Sequence, residues 1–339
     1  MQRALRTILL IGIVALAVAG GASVWALQAE SDDFAFVPRA AQSTAGVVRL
    51  EGAAPPPADA GRIYFTTIGV RRATVWETWF GVDGGELVPE HAIQPHGETD
   101  EERARLDALA MDGSQEAAEV VGLRALGERV DVRPTGVVVA ALAPDAPAAK
   151  AGLELGDVIL AIDREPVTTI AALRARLRAA GVGARVDLGV HRDGRMLTIA
   201  ARTFASPRDG APVLGIVPQQ ANLVDASRSV TFAIDGVGGP SAGLAFALQI
   251  YTAGKGYANL GGLRVAATGT LDMDGRVGPI GGAGEKAIGA RRAGAELLLV
   301  PDGNAAEARA AHVPGLRIAA VGSFAEALRA IDRASRAES

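Results

Sequence analysis

Residues 236–251, GVGGPSAGLAFALQIY, constrain the fold of this chain more than any other stretch. The run before it, Val230-Thr231-Phe232-Ala233-Ile234, is apolar and β-branched and reads as a strand. A glycine turn follows, and Ser241 then opens an apolar run to Thr252 that reads as a helix. The same order of strand, glycine turn and helix returns in VGPIGGAGEKAIGARRAGAELLLVP, where a helix starts near Gly284. Strands and helices alternate over residues 204–339. Strands are expected at 213–217, 229–235, 264–271, 276–280, 296–300 and 316–320, and helices at 242–253, 284–293, 304–311 and 323–334. The fold class expected is α+β, with mixed α/β character in this last part.

A serine at a helix start lies beside backbone N–H groups that the helix leaves unpaired. Taken alone, Ser241 reads as an N-cap on a turn. The same N–H groups and the helix dipole also favour the negative charge that develops when a nucleophile attacks a carbonyl. Composition bears on the choice. Of the 34 basic residues all but Lys150, Lys255 and Lys286 are arginine, so a retained lysine is a candidate for a task that requires losing a proton. Lys286 heads the second helix, 45 residues after Ser241 (286 − 241). There is no cysteine, and the four histidines (His91, His96, His191, His312) are scattered without metal-ligand spacing, so neither a metal site nor a cysteine nucleophile is expected. A lysine can then serve Ser241 as base if an apolar pocket and a helix N-terminus lower its pKa. Glu285 need not pair with it, because adjacent helix positions point apart. Net charge −4 gives no reason to expect nucleic acid as a partner. No GxxxxGK[ST] run is present, so no nucleotide is expected. No cofactor is expected either.

Residues 8–27 are uncharged, with Arg3 and Arg6 before them and Glu30, Asp32 and Asp33 after. Twenty residues at about 1.5 Å each reach across a bilayer of roughly 30 Å. This predicts a transmembrane anchor with the body on the extracytoplasmic side, the competing reading being a cleaved signal peptide. Residues 1–27 are thus assigned to a cytoplasmic tip and the anchor. Residues 28–60 are read as a linker ending in AAPPPADAG. Residues 61–127 form a small segment of their own: a strand at 62–68, then helices in TDEERARLDALA and SQEAAEVVGLRALG, with Gly127 as the stop.

Residues 128–203 show a compact pattern. Val137-Val138-Val139 sits in a strand, and PDAPAAKAGL is a short helix closed at Gly152. Residues 157–162 form another strand, and Thr168 to Ala180 a helix with Ile170, Leu173 and Leu177 on one side. A hairpin turns at Arg192-Asp193-Gly194. The string GVVVAALAPDAPAAKAGLELGDVILAIDREPV resembles a bacterial PDZ domain, which implies capture of an extended peptide by strand addition. No glycine-hydrophobic carboxylate-binding loop precedes the Gly136 strand.

GGPSAGLAFAL, followed by TGTLDMDGRVGPIGGAGEKAIGARRAGAELLLVP, resembles the proteolytic domain of Lon proteases, over residues assigned to 204–335. The resemblance implies Ser241 as nucleophile and Lys286 as general base. Thr268 would hydrogen-bond and orient the lysine, and backbone N–H groups around Ser241, with Gly239 in support, would form the oxyanion hole. The whole order of segments resembles membrane-anchored, PDZ-containing Lon-like serine proteases without an ATPase module. That implies ATP-independent endopeptidase action on accessible or unfolded polypeptides at the outer face of the cell membrane, and a homo-oligomer, a hexamer. The alternative is a non-catalytic PDZ scaffold at the membrane.

Overall fold

A computed structural model describes residues 20–93, 100–143, 145–234 and 236–337. It begins with helical residues 20–28 (α1). Then come β1 (Glu30–Pro38), β2 (Gln42–Ser43), β3 (Val48–Leu50), β4 (Arg62–Phe65), β5 (Ile68–Thr74), α2 (Val75–Phe80), β6 (Glu86–Val88), α3 (Glu90–Ile93) and α4 (Asp100–Ala125). The middle of the chain forms β7 (Val130–Leu142), α5 (Pro147–Lys150), β8 (Val158–Ile162), β9 (Glu165–Pro166), α6 (Ile170–Ala180), β10 (Arg185–Arg192), β11 (Arg195–Arg202), β12 (Phe204–Ala205), β13 (Pro212–Val213) and β14 (Ile216–Ala226). The last third adds β15 (Val230–Phe232), α7 (Gly243–Gly254), β16 (Arg264–Ala267), β17 (Thr270–Leu271), β18 (Val277–Gly278), α8 (Ala283–Arg292), β19 (Leu297–Pro301), α9 (Ala305–Ala310), β20 (Arg317–Val321) and α10 (Phe324–Arg336).

The layer that positions the site is a five-stranded sheet in the order β2-β4-β16-β19-β20. β4, β16, β19 and β20 run parallel, so connections must cross the faces and cover both of them. Alternate side chains then belong to different cores. Ile63, Phe65, Val265, Ala267, Leu297 and Leu299 pack with α4, α7 and α10 around Phe246. Ala266, Leu298 and Val300 face an alanine-rich layer from α8 and α9. α7 is mostly apolar, Leu244 to Leu248 being fully buried, and its helix is held by packing more than by propensity. Its one long polar residue, Gln249, is satisfied inside the core: Oε1 accepts from Thr44 Oγ1 at 2.8 Å and Nε2 donates to Tyr257 Oη at 2.8 Å.

Three expectations change here. Residues 28–60 do not form a linker: β1 pairs with β5 and β6, β2 joins the central sheet, and Thr44, Val48 and Leu50 are buried. Only the proline stretch behaves as read, running without regular structure up to β4. Residues 61–127 are not a separate unit, because β4 pairs in parallel with β16 (Arg62↔Arg264 to Phe65↔Ala267) and α4 lies against α7. The two helices expected there are one helix of 26 residues running through Gly113. A Cβ at Gly113 would meet only the side-chain amide of Gln219, at 2.7 Å. Gly127, in the left-handed region at φ 84°, ends that helix region as expected.

The middle segment is a lobe with its own core of Val137, Ile159, Leu173, Leu177, Leu188 and Val190. Its sheet runs β11-β10-β8-β7-β14, with β9 beside β8. Asp193 and Gly194, both with positive φ, close the β10–β11 hairpin. β14, expected with the last domain, instead returns along β7 from Leu142↔Ile216 to Val130↔Ala226. The lobe is therefore an insertion: its two end strands leave and re-enter the body side by side.

The predicted transmembrane span falls largely on residues 8–19, which lie outside the described residues. Among the described residues no helix is long and apolar enough to cross a membrane.

Candidate active site

Both strand-to-helix junctions open onto one cleft of about 700 Å³, and Ser241 and Lys286 both line it. On the Ser241 side the chain takes a left-handed step at Gly239 (φ 87°) and a single 3-10 turn, Pro240–Ala242, before α7 begins. That turn is tied to two other parts of the chain. The Ser241 carbonyl accepts from Gly269 N at 2.9 Å and from Thr268 Oγ1 at 3.3 Å, and Leu244 N donates back to the Gly269 carbonyl at 3.3 Å. On the other side α4 holds it: Ser114 Oγ donates to the Pro240 carbonyl at 3.2 Å, and Gly239 N donates to the Asp107 carbonyl at 2.9 Å. Gly238 has to be glycine, since a Cβ there would sit 2.6 Å from that of Asp107.

Two supporting residues therefore do something other than expected. Thr268 is fully buried, and its hydroxyl bonds the Ser241 carbonyl, fixing the Ser241 turn. The Gly239 N–H is engaged by Asp107, and Pro240 has no N–H. The N–H groups of Ser241 and Ala242 lie on the 3-10 turn that leads into α7. Asp235 lies outside the described residues.

On the other side of the cleft, α8 begins after Gly282, which is left-handed at φ 65°. Its first N–H, on Ala283, donates to Glu307 Oε1 at 2.6 Å, a charged cap supplied by α9. Asn304 pins the preceding loop, accepting from Ile280 N at 3.0 Å and donating to its carbonyl at 2.9 Å. This fixes Lys286, one turn into the helix and only 3% exposed. Burial pushes its ammonium down to about 8, against Glu307 and Glu285, whose charges push the other way. Glu285 is buried too; desolvation raises its carboxyl, and Glu86 and Glu307 add to that.

The cleft also contains Thr66, a residue the sequence reading passed over. It follows β4 at the sheet's C-terminal edge, is 2% exposed, and its hydroxyl has no hydrogen-bond partner. A buried hydroxyl left unpaired costs about 1–3 kcal/mol. Asp107, Ser114 and Glu307 were missed as well. They act through a carbonyl, a hydroxyl and a helix cap supplied by elements remote in sequence, and no local motif marks them.

Residues 234–328 match the family model of the Lon protease (S16) C-terminal proteolytic domain. That span holds Ser241, Thr268 and Lys286. It leaves out β2, β4 and α4, which complete the sheet and hold the Ser241 turn. Residues 124–203 match the PDZ domain model. The chain is 39% identical over 64 residues to the periplasmic serine endoprotease DegP of Salmonella typhimurium, covering 19% of this chain and 14% of that protein. It is 33% identical over 107 residues to a probable periplasmic serine endoprotease, DegP-like, of Pseudomonas fluorescens, covering 32% and 21%. The chain thus spans only 14% to 21% of the length of these relatives. The PDZ domain of an SdrC-like protein from Listeria monocytogenes is 25% identical over 25% of this chain and 87% of its own, with a TM-score of 0.24. The chain thus carries a segment that matches a Lon-type serine-peptidase domain and another that matches a PDZ domain.

Proposed function

We propose that this protein is a membrane-tethered, ATP-independent serine endopeptidase in which Ser241 is the nucleophile and Lys286 the general base. The observation that carries the reading is the shared cleft: a serine on a helix-start turn and a buried lysine whose pKa falls to about 8. Near neutral pH a useful fraction of that lysine is unprotonated and can accept the Ser241 hydroxyl proton as the oxygen attacks a peptide carbonyl. The N–H groups of Ser241 and Ala242 face the developing oxyanion. Lys286 then gives the proton to the leaving amine. Water, deprotonated by the same lysine, hydrolyses the acyl-enzyme and regenerates both groups.

The PDZ domain presents polypeptides. Its edge strand β14 starts at Leu214-Gly215-Ile216, with Gly215 left-handed at φ 80°, and α6 packs against β13 and β14. This glycine-hydrophobic turn supports strand addition on β14. It stands after the β11 hairpin, and a search ahead of Gly136 does not meet it. Residues 8–27 support a membrane anchor by length and lack of charge.

The test is cleavage of casein by the full chain in detergent, beside Ser241→Ala and Lys286→Ala. Each variant is expected to lose about 10³-fold or more in kcat. Equal cleavage by wild type and variants overturns the dyad, and no cleavage by any of them favours a binding role.

A further inference from the structure

The chain has three tryptophans, Trp25, Trp76 and Trp79, and the fold gathers all of them at one junction. α1 ends with Ala29 N donating to the Trp25 carbonyl at 2.8 Å, and the Ala29 carbonyl accepts the first N–H of α2, from Val75, at 2.9 Å. The two helices therefore abut, and Glu30 pairs with Thr74 directly beyond them. Trp25 lies one turn before the junction, and Trp79 and Phe80 one turn after it. Trp25 is 60% exposed, Trp79 64% and Phe80 66%. Every other Trp and Phe of the chain is half-buried or buried, so the bare rings are confined to this place. Val24 and Leu27 extend the apolar surface along α1.

What covers this face follows from where the chain leads. The uncharged run 8–27 ends at the patch, so Trp25 stands within two residues of the end of a stretch long enough to cross the hydrocarbon layer. α2 is hydrogen-bonded to that end. Five residues at 1.5 Å each keep Phe80 within about 8 Å of it, the depth of one headgroup layer. Amphipathic rings concentrate at that level. The two arginines of β5 are already matched. Arg71 Nη1 donates to Glu77 Oε2 at 2.8 Å, and Arg72 pairs with Glu90 at 2.7 Å while stacking on Phe34. The face offers rings and neutralised pairs, which suits a zwitterionic bilayer surface.

We propose that Trp79 and Phe80 of α2 insert into the headgroup layer of the membrane crossed by residues 8–27, giving the body a second contact that fixes its orientation. This rests on reading residues 8–27 as the anchor. β1 follows the anchor directly and is built into a sheet, so the contact is rigidly coupled to the body.

The test uses the full chain in phosphatidylcholine vesicles, in two single-tryptophan forms: Trp25→Phe with Trp76→Phe, leaving Trp79, and Trp76→Phe with Trp79→Phe, leaving Trp25. Emission is quenched from the lipid side with bromines at the 6,7 positions of the acyl chain, and from water with iodide. The expected result is about twofold quenching of Trp79 by the bromolipid and little by iodide. If Trp25 is quenched by the bromolipid but Trp79 by iodide alone, the anchor stands and the second contact is overturned. If neither is quenched by the bromolipid, the anchor reading itself fails and the proposal with it. Trp79 shielded from both quenchers would mean that protein, a second copy, covers the face, and would equally overturn the proposal.

Discussion

Lys286 owes its lowered pKa to desolvation, and for the proposed base this sets a sign for the pH dependence. Its folded pKa lies below the usual lysine value, near 8, so the unprotonated base accumulates as pH rises through that region. With casein as substrate, kcat/KM is expected to climb about tenfold per pH unit below pH 8 and level off above it; a rate flat from about pH 6 to 10 would contradict the assignment. Thr66 provides a second residue-scale test. Thr66→Val keeps the shape and removes an unpaired buried hydroxyl, so the melting temperature is expected to hold or rise, by the equivalent of up to about 1 kcal/mol. If that hydroxyl meets substrate in the cleft, the same variant loses kcat/KM. A variant that is both less stable and fully active would show that the hydroxyl is satisfied structurally.

At the scale of elements, the α4–α7 contact is sensitive to a single atom. A Cβ on Gly122 would lie 2.8 Å from Ile250 Cβ and 3.1 Å from the Ala247 carbonyl oxygen. Gly122→Ala is therefore expected to cost about 1–3 kcal/mol despite alanine's better helix propensity, read as a lower midpoint in urea unfolding. Legibility from sequence follows the same division between local and remote. The starts of α7 and α8, α6 with Leu173 and Leu177 inward, and the Asp193-Gly194 hairpin were readable, because glycine turns and helical periods are local signals. β1 to β3 were not, because their buried positions are few and alternate with charge, and the partner of β4 lies far along the chain. The hydrogen-bond partner of Thr268 depends on how Gly269 approaches the Ser241 carbonyl, which no motif encodes.

For the whole molecule, the insertion of the PDZ lobe makes a pair of opposite outcomes. Val130 and Ala226 face each other in an antiparallel pair, so the body's chain can be rejoined across the stem by a short glycine linker after residues 131–225 are removed. That protein is expected to melt cooperatively, because β2, β4, α4 and the C-terminal elements are all retained. A fragment of residues 204–339, which holds both Ser241 and Lys286, is expected to lack a cooperative thermal transition by circular dichroism, since Ile63, Phe65, Met111 and Leu123 are missing from its core. The reverse pair of results would show that the matched proteolytic segment is a domain by itself.

The pairing of β4 with β16 also fixes a schedule. Arg62 waits for Arg264, 202 residues later (264 − 62), and α8 with Lys286 is made later still. A ribosome must release most of the chain before the sheet can close and Lys286 can line one cleft with Ser241.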